Sequence, residues 1–237
     1  MKIITWNCNM AYRRKVKLLL TYKPDIVIVP ECEHPDKLKF EPGIPVPGDV
    51  FWFGNNLNKG LGVFSYSNYK FELNDIHDPG LRTIIPLTVK NDNFHFNLFA
   101  IWANNPGDRG FQYVGQVWKA INFYAQLLKN ERTILVGDFN SNTIWDKPRR
   151  EGNHSTVVEF LANKGIQSTY HKFFNQIQGK ERHDTLFMYR HKDKSYHIDY
   201  CFASDDFINK LAKVEIGSHK KWCKHSDHTP LIVTFND

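Results

Sequence analysis

The stretch from Arg132 to Asn142 constrains this chain more than any other, because it joins a buried strand to a pair of polar residues. Thr133 to Val136 is short, apolar and rich in β-branched residues, which is typical of a strand buried on both faces. Gly137 then allows another backbone to approach closely, and Asp138 and Asn140 follow two residues apart. In an extended chain this spacing puts a carboxylate and an amide on the same side. The pair suits either a polar reaction centre or a solvated turn.

Four other predicted strands also carry polar side chains at or near one end. Each is a largely apolar run of strand length. They are Lys2–Cys8 with Asn7, Asp25–Pro30 followed by Glu31, Tyr196–Ala203 with Asp199, and Thr229–Phe235 preceded by Ser226-Asp227-His228. One polar strand end usually serves a turn, so it is the set of five that indicates a functional site.

The rest of the pattern predicts helices and short strands in one domain, residues 1–237. Helices are expected at Tyr12–Tyr22, at Phe111–Leu128, and from a cap at Ser155 to Lys164. Short runs between Val50 and Val89 predict a mostly antiparallel meander, and Phe94–Trp102 predicts a further strand. No repeat, low-complexity segment or linker is visible, and 237 residues can bury a sizeable core.

The composition narrows the class of protein only modestly. The net charge of +6 weakly favours a polyanionic partner. The four cysteines show no Cys-x-x-Cys spacing, and Cys8 and Cys201 lie in strand-like runs, which predicts reduced thiols in a cytoplasmic protein. No apolar stretch approaches the roughly 20 residues of a membrane span, and Met1–Trp6 looks like a strand rather than a signal peptide. We therefore expect no membrane partner.

Five short motifs, in chain order, resemble those of the endonuclease/exonuclease/phosphatase superfamily, which includes exonuclease III, deoxyribonuclease I and the inositol-polyphosphate 5-phosphatases. The motifs are Thr5-Trp6-Asn7, Pro30-Glu31, Gly137-Asp138-Phe139-Asn140, Ile198-Asp199-Tyr200 and Ser226-Asp227-His228. The resemblance extends from the first predicted strand to the last. It implies a four-layered α/β sandwich, in which two mixed β-sheets pack face to face and are flanked by helices, with the active site where loops converge at one end.

The resemblance also implies roles for the polar strand ends. Oxygen ligands such as Glu31 and Asn7 suit Mg²⁺ or Mn²⁺. Asp227 would bind metal, orient His228, or only cap the turn into the last strand. By the family pattern, Asp199 fixes the tautomer of His228 and stabilises its charged form.

The same family pattern assigns the two residues of the central stretch. Asp138 would orient or deprotonate the attacking water, and Asn140 would hydrogen-bond that water or the phosphate. The sequence leaves open whether Asp138 or His228 is the general base.

Three further residues are candidates for substrate contact. Trp102 stands where exonuclease III-like relatives carry Tyr and deoxyribonuclease I-like relatives carry His, and an indole cannot act as an acid near neutral pH. Trp102 is therefore either core packing or a stacking surface. Asn105 fits the family's phosphate-contacting Asn or is a plain turn residue, and His197 either contacts phosphate or is a hydrogen-bonded structural histidine.

The leading functional prediction is a metal-dependent nuclease that cleaves DNA. It rests on three basic segments, in which Lys and Arg would neutralise phosphates while aromatic rings stack on bases. The segments are Tyr170–Ser195, the Lys147-Arg149-Arg150 loop and His219-Lys220-Lys221-Trp222. The alternatives are a phosphatase or phosphodiesterase acting on a small or lipid-derived phosphate, and a nucleic-acid-binding protein that has lost catalysis.

Overall fold

The computed structural model describes residues 1–92, 94–105, 107, 112–129 and 132–236. Two six-stranded mixed sheets dominate these residues. In spatial order the first sheet contains Leu211–Ile216 (β13), Leu231–Phe235 (β14), Lys2–Thr5 (β1), Ile26–Cys32 (β2), Lys59–Ser65 (β4) and Asp49–Asn56 (β3). The second contains Lys70–Leu73 (β5), Ile84–Lys90 (β6), His95–Trp102 (β7), Thr133–Asp138 (β8), Asp199–Ser204 (β12) and Ile166–Ser168 (β9). Leu186–Phe187 (β10) and Ser195–Tyr196 (β11) form a small ribbon.

The helices are short and lie mainly on the outer faces of the sheets. The α-helices are Val16–Leu20 (α1), Val114–Phe123 (α2), His154–Ala162 (α3), Thr169–Phe174 (α4), Asp205–Ile208 (α5) and His219–Trp222 (α6). Turns of 3-10 helix occur at Tyr12–Arg14, Pro35–Lys37, Pro79–Leu81, Thr143–Trp145 and Met188–Arg190. The prediction of a four-layered α/β sandwich is confirmed by this arrangement.

The apolar strands supply side chains to two layers at once, because successive side chains point to opposite faces. On β8, Ile134 and Val136 enter the core between the sheets, whereas Leu135 packs against the layer that contains α2 and α3. On β2, Ile28 likewise enters the central core and Val29 packs beneath α1. Because both faces of these strands are buried, their sequences are continuous apolar runs.

The strand directions bring the polar strand ends to one edge of the sandwich. β1 and β2 are parallel, as are β7 and β8, so each pair ends on the same side. β12 is antiparallel to β8, and its first residue, Asp199, pairs directly with Asp138, the last residue of β8. Trp102, at the end of β7, is also in register with Asp138.

The secondary structure differs from the sequence predictions at several points, and the predicted helix Tyr12–Tyr22 is a 3-10 turn at Tyr12–Arg14 followed by a short α-helix at Val16–Leu20. The expected meander is divided, because β3 and β4 belong to the first sheet whereas β5 and β6 belong to the second. The second predicted helix is shorter, Val114–Phe123, and its predicted start at Phe111 lies outside the described residues. Ser155 does not cap α3, because Asp146 accepts hydrogen bonds from the backbone N–H groups of His154 and Ser155 instead.

Candidate active site

An open cleft of about 990 Å³ lies at the edge where the polar strand ends meet. Its lining includes most of the polar residues that the sequence predicts for the site, namely Asn7, Glu31, Trp102, Asn105, Asn140, Asp227 and His228. Asp138 and Asp199 are fully buried directly behind this surface. The structure therefore brings together residues that are up to 221 positions apart in the chain, Asn7 and His228 being the extremes.

His228 and Asp199 form a buried charged pair. Nδ1 of His228 lies 2.9 Å from Oδ2 of Asp199, and the imidazole is only 5% exposed. Burial alone would lower the pKa of His228, but the charge and hydrogen bond of Asp199, with the charges of Asp138 and Asp227, outweigh it and raise the pKa to about 10. At neutral pH the imidazole is thus protonated and faces the cleft.

The polypeptide around His228 is hydrogen-bonded to the two residues that follow β1, Trp6 and Asn7. Trp6 donates its indole N–H to the carbonyl oxygen of His228 at 2.8 Å. The hydroxyl of Ser226 donates to the carbonyl oxygen of Asn7 at 2.8 Å and accepts from the backbone N–H of His228 at 3.1 Å. The Ser-Asp-His and Trp-Asn motifs are therefore physically joined, which fixes the imidazole relative to β1.

Asp138 is the polar centre beneath the cleft. Its Oδ2 accepts hydrogen bonds from the side-chain amides of Asn7 at 3.0 Å and Asn140 at 3.1 Å, and its Oδ1 accepts from the backbone N–H of Asn140 at 2.9 Å. Nε2 of His228 lies 4.0 Å from the same Oδ2. Burial and the neighbouring charge of Asp199 raise the pKa of Asp138 to about 7, although His228 and these donors oppose the rise.

The Gly-Asp-Phe-Asn motif is required by the local backbone. Gly137 has φ of 146°, and a Cβ there would lie 1.9 Å from the carbonyl oxygen of Ile101 on β7. Only glycine fits such a close approach. Asn140 adopts a left-handed φ of 47° and donates its side-chain amide to the carbonyl oxygen of Ala103 at 2.9 Å, which ties the end of β8 to the end of β7.

Glu31 sits on a β-bulge that turns its carboxylate into the cleft. It has a left-handed φ of 62°, and the pairing of β2 with β4 shifts register between Pro30 and Cys32. Such strain in a residue other than glycine is concentrated at functional sites. Its Oε2 pairs with Nζ of Lys59 at 3.1 Å, and its Oε1 lies 3.4 Å from Nδ2 of Asn7.

The cleft offers two groups of side chains that could hold a metal ion. Glu31, Asn7 and Asp227, the predicted ligands, line the cleft with oxygen donors that suit a hard divalent ion. Oδ1 of Asn7 accepts from the backbone N–H of Asn9 at 3.1 Å and keeps a second lone pair. The ligand atoms of Asp138, Asp199 and His228 also lie within 4.8 Å of one another, but this trio is buried and already paired internally.

Trp102 and Asn105 both reach the cleft, as predicted for residues that contact substrate. The ring of Trp102 lies under Nζ of Lys59, 5.5 Å from the centroid, and also packs partly against the central core. Asn105 is exposed, and its side-chain oxygen accepts from the backbone N–H of Gly107 at 3.0 Å. The structure therefore shows the packing role of Trp102 and the turn role of Asn105, and contact of either residue with substrate stays a prediction.

The prediction that His197 contacts phosphate is wrong for this structure. The side chain is 2% exposed and does not line the cleft. Its Nδ1 donates to the carbonyl oxygen of His183 at 2.8 Å, and its ring packs 4.3 Å from that of Tyr170. Burial lowers the pKa of His197 to about 4, so the ring is neutral and structural.

The basic segments are only partly at the site. Of Tyr170–Ser195, Leu186, Met188, Tyr189 and Arg190 line the cleft, whereas Tyr170 is fully buried. The prediction that Trp222 stacks on bases is wrong, because its ring is buried and packs 4.9 Å from that of Trp6. The Lys147-Arg149-Arg150 loop is absent from the described lining of the cleft.

Two cations that the sequence reasoning did not single out also line the cleft. Lys59 follows the turn between β3 and β4, and Arg82 follows the 3-10 turn before β6. Arg82 has a left-handed φ of 55°, and its guanidinium has no ion-pair partner among the residues that the structure describes. Lysine and arginine in turns are common, so no sequence signal distinguishes these two.

The sequence matches the family described as the Endonuclease/Exonuclease/phosphatase family over residues 4–228. The chain belongs to this family. The match covers every predicted site residue, from Asn7 to His228. It confirms the predicted family and, with it, the general class of enzyme, a phosphoric ester hydrolase.

Solved structures share the fold at low sequence identity. A 3′ phosphatase from Neisseria, bound to a product DNA hairpin, has a TM-score of 0.70 and 20% identity, with 100% of both chains covered. An AP endonuclease from Archaeoglobus fulgidus has a TM-score of 0.69 and 19% identity, also with 100% of both chains covered. The endonuclease domain of TRAS1, a telomere-specific non-LTR retrotransposon, has a TM-score of 0.69 and 12% identity, with 100% of this chain and 98% of that chain covered. Among curated proteins, none matches the chain.

No helix within the described residues is both long and apolar enough to cross a membrane.

Proposed function

We propose that this protein is a divalent-metal-dependent nuclease that hydrolyses phosphodiester bonds in DNA. The observation that carries the proposal is the convergence of a buried Asp138, a charged His228 and a partly buried Glu31 on one cleft that Lys59, Arg82 and Arg190 also line. Cationic side chains beside such a site suit a polyanionic backbone. The similar structures include a 3′ phosphatase bound to a product DNA hairpin and an AP endonuclease, and they support this choice of substrate.

We assign the proton-accepting role to Asp138. Its pKa of about 7 is suited to taking a proton from water near neutral pH. His228, with a pKa of about 10, keeps its proton there and is a poor base. Its imidazolium instead stabilises negative charge on the phosphate as the water attacks. Asn140 donates to Asp138 and lines the cleft, so it is placed to orient both the water and the carboxylate.

Glu31 is the residue best placed to hold Mg²⁺ or Mn²⁺, with Asn7 and Asp227 as further oxygen ligands. A divalent cation bound there supplies Lewis-acid stabilisation of the developing charge on the phosphate. Lys59 pairs with Glu31 and would then be free to contact a phosphate oxygen. Trp102 lacks an acidic proton near neutral pH, so we place it as a surface for the substrate rather than as the acid for the leaving group.

The test is cleavage of labelled DNA by the purified chain with Mg²⁺, Mn²⁺ or EDTA. We expect strand cleavage that EDTA abolishes, and a loss of about 10²–10⁴-fold in His228→Gln. His225→Gln is a matched control, because His225 is three residues away and does not line the cleft; it should remain active. Absence of cleavage on every DNA form would overturn the proposal.

A second candidate is hydrolysis of a phosphate monoester by the same residues. The family description includes phosphatases, and one similar structure is of a 3′ phosphatase. DNA that carries a 3′-phosphate, and a panel of phosphorylated metabolites, should be included in the assay. Release of phosphate without strand cleavage would favour this candidate over the nuclease.

A further inference from the structure

A second, smaller cavity of about 440 Å³ adjoins the cleft. Trp102, Lys59, Arg82 and Asn104 line both cavities, so Trp102 forms part of a shared wall. The volume is within the range of about 300–1,000 Å³ for small-molecule sites. Whatever occupies this side pocket is therefore within reach of a group bound in the cleft.

The lining of the side pocket suits a flat, polar-edged ring rather than an apolar ligand. Phe53 and Trp102 provide aromatic surfaces, and Asn55, Asn56 and Asn104 provide amides that can both donate and accept. Asn55 is exposed, and its side chain has no hydrogen-bond partner within the described part of the chain. A nucleobase presents this combination of a π face and a hydrogen-bonding edge.

The charges at the junction favour a phosphate next to that ring. Lys59 and Arg82 line both cavities, and none of the described residues that line the side pocket is acidic. Lys59 already lies over the Trp102 ring, and Arg82 has a strained backbone conformation. Strain of this kind, on the order of 1–3 kcal/mol, persists where the surrounding structure fixes a functional position.

The floor of the side pocket is hydrogen-bonded to residues that also line the cleft. The hydroxyl of Thr83, which is 6% exposed, donates to the carbonyl oxygen of Trp102 and accepts from the side-chain amide of Asn104 at 3.2 Å. The backbone N–H of Trp102 donates to the carbonyl oxygen of Thr83 at 2.9 Å. A base held here would therefore have a defined position relative to a phosphate in the cleft.

We propose that the side pocket binds one unstacked base of the nucleic-acid strand, adjacent to the phosphate that is cleaved. This inference rests on the proposed nuclease function and specifies its substrate. A base paired in a duplex presents its Watson–Crick edge to its partner and its faces to its neighbours, so it must leave the helix to enter the pocket. The cost of leaving is smallest for single-stranded, frayed or mismatched ends. The enzyme therefore acts preferentially on unpaired nucleotides.

The first test measures binding without turnover. Fluorescence anisotropy in EDTA would compare a labelled single strand with versions in which one nucleotide at a time is replaced by an abasic analogue, scanned along the strand. We expect one position at which loss of the base weakens binding by about tenfold, from the stacking contribution of one base. A scan with no position dependence would overturn the proposal.

Variants of the side pocket test whether the missing base binds there. In Asn55→Ala and in Phe53→Ala, the penalty for the missing base at that position should shrink at least severalfold. Asn55 is exposed and carries little risk to folding, whereas Phe53 packs partly against the core. Leu57→Ala is the matched control: Leu57 is 55% exposed in the same β3–β4 hairpin and lines neither cavity. An unchanged penalty in both pocket variants would contradict the proposal.

The second test measures cleavage with Mg²⁺ or Mn²⁺. Single strands should be cleaved on the order of 100-fold faster, in kcat/KM, than a blunt duplex with G·C ends, because extrusion of a paired base costs a few kcal/mol. Equal rates would overturn the side-pocket proposal while the nuclease function stands. Absence of cleavage on both substrates would instead overturn the nuclease function, and the inference with it.

Discussion

Replacing Asp199 by Asn tests the buried charged pair at the centre of the site. The substitution keeps the shape and an oxygen that can accept from Nδ1 of His228, but it removes the charge that is 2.9 Å away. The pKa of His228 is about 10 in the folded protein against an ordinary 6.5. At about 1.36 kcal/mol per pKa unit, this difference corresponds to stabilisation of a few kcal/mol, of which Asp199 supplies the largest part and Asp138 and Asp227 the rest. Breaking a buried ion pair typically costs about 3–5 kcal/mol, which agrees.

The difference in stability between wild type and Asp199→Asn should depend on pH. The raised pKa means that His228 stabilises the folded state fully below about pH 6.5, and that this contribution is lost as the pH rises towards 10. We therefore expect Asp199→Asn to be less stable than wild type by about 3–5 kcal/mol near pH 6.5, and the gap to narrow steadily above that pH.

The assay is urea denaturation in EDTA at several pH values, together with DNA cleavage with Mg²⁺. Asp184→Asn is the matched control, because Asp184 makes the same kind of hydrogen bond, to Ser195, away from the cleft. We expect cleavage by Asp199→Asn to fall by about 10²–10⁴-fold. Equal stability of wild type and Asp199→Asn at pH 6.5, or a difference that stays constant up to pH 9.5, would show that the charge of Asp199 does not stabilise protonated His228.

Three other changes have expected outcomes. Gly137→Ala places a Cβ 1.9 Å from a backbone oxygen of β7, so urea denaturation should show a loss of roughly 3 kcal/mol or more, or no folded protein. Lys59→Met removes the ammonium group that pairs with Glu31, the proposed metal ligand. Calorimetry should therefore show that Mn²⁺ binds about two- to fivefold more tightly, and weaker binding would contradict the role of Glu31 as a metal ligand. Burial lowers the pKa of His154 to about 4, so the histidine is protonated in the unfolded state before it is protonated in the folded state as the pH falls from 6.5. The free energy of unfolding should therefore fall by about 3 kcal/mol between pH 6.5 and pH 4, and it should change less with pH in His154→Gln.

The convergence of the predicted polar residues on one cleft could be anticipated because these residues lie at the ends of strands whose apolar pattern is unambiguous. Asp138 and Asp199 end up side by side because β8 and β12 pair in that register, and Asp and His at strand ends are visible in a sequence. Lys59 and Arg82 could not be predicted in the same way. Both follow turns, and only the packing of the two sheets brings these turns to the cleft.

The errors have identifiable physical causes. His197 lies two residues before Asp199, but the regular strand begins only at Asp199, so the alternation that would put both side chains on one face does not apply. The strands predicted between Val50 and Val89 belong to two different sheets, and the local sequence pattern does not show which sheet a strand joins. By contrast, β13 is not among the predicted strands, although Leu211 to Ile216 shows a partial apolar alternation that indicates a half-buried strand.

The position of Mn²⁺ in crystals of the protein with a short single-stranded oligonucleotide, found by anomalous diffraction, decides whether Glu31 holds the metal ion beside the reacting phosphate. We predict an ion coordinated by a carboxylate oxygen of Glu31 at about 2.0–2.3 Å, beside Asn7 in the cleft, with a phosphate of the oligonucleotide in contact with it. An ion held instead by the buried trio of Asp138, Asp199 and His228, with Glu31 still paired to Lys59, would contradict it.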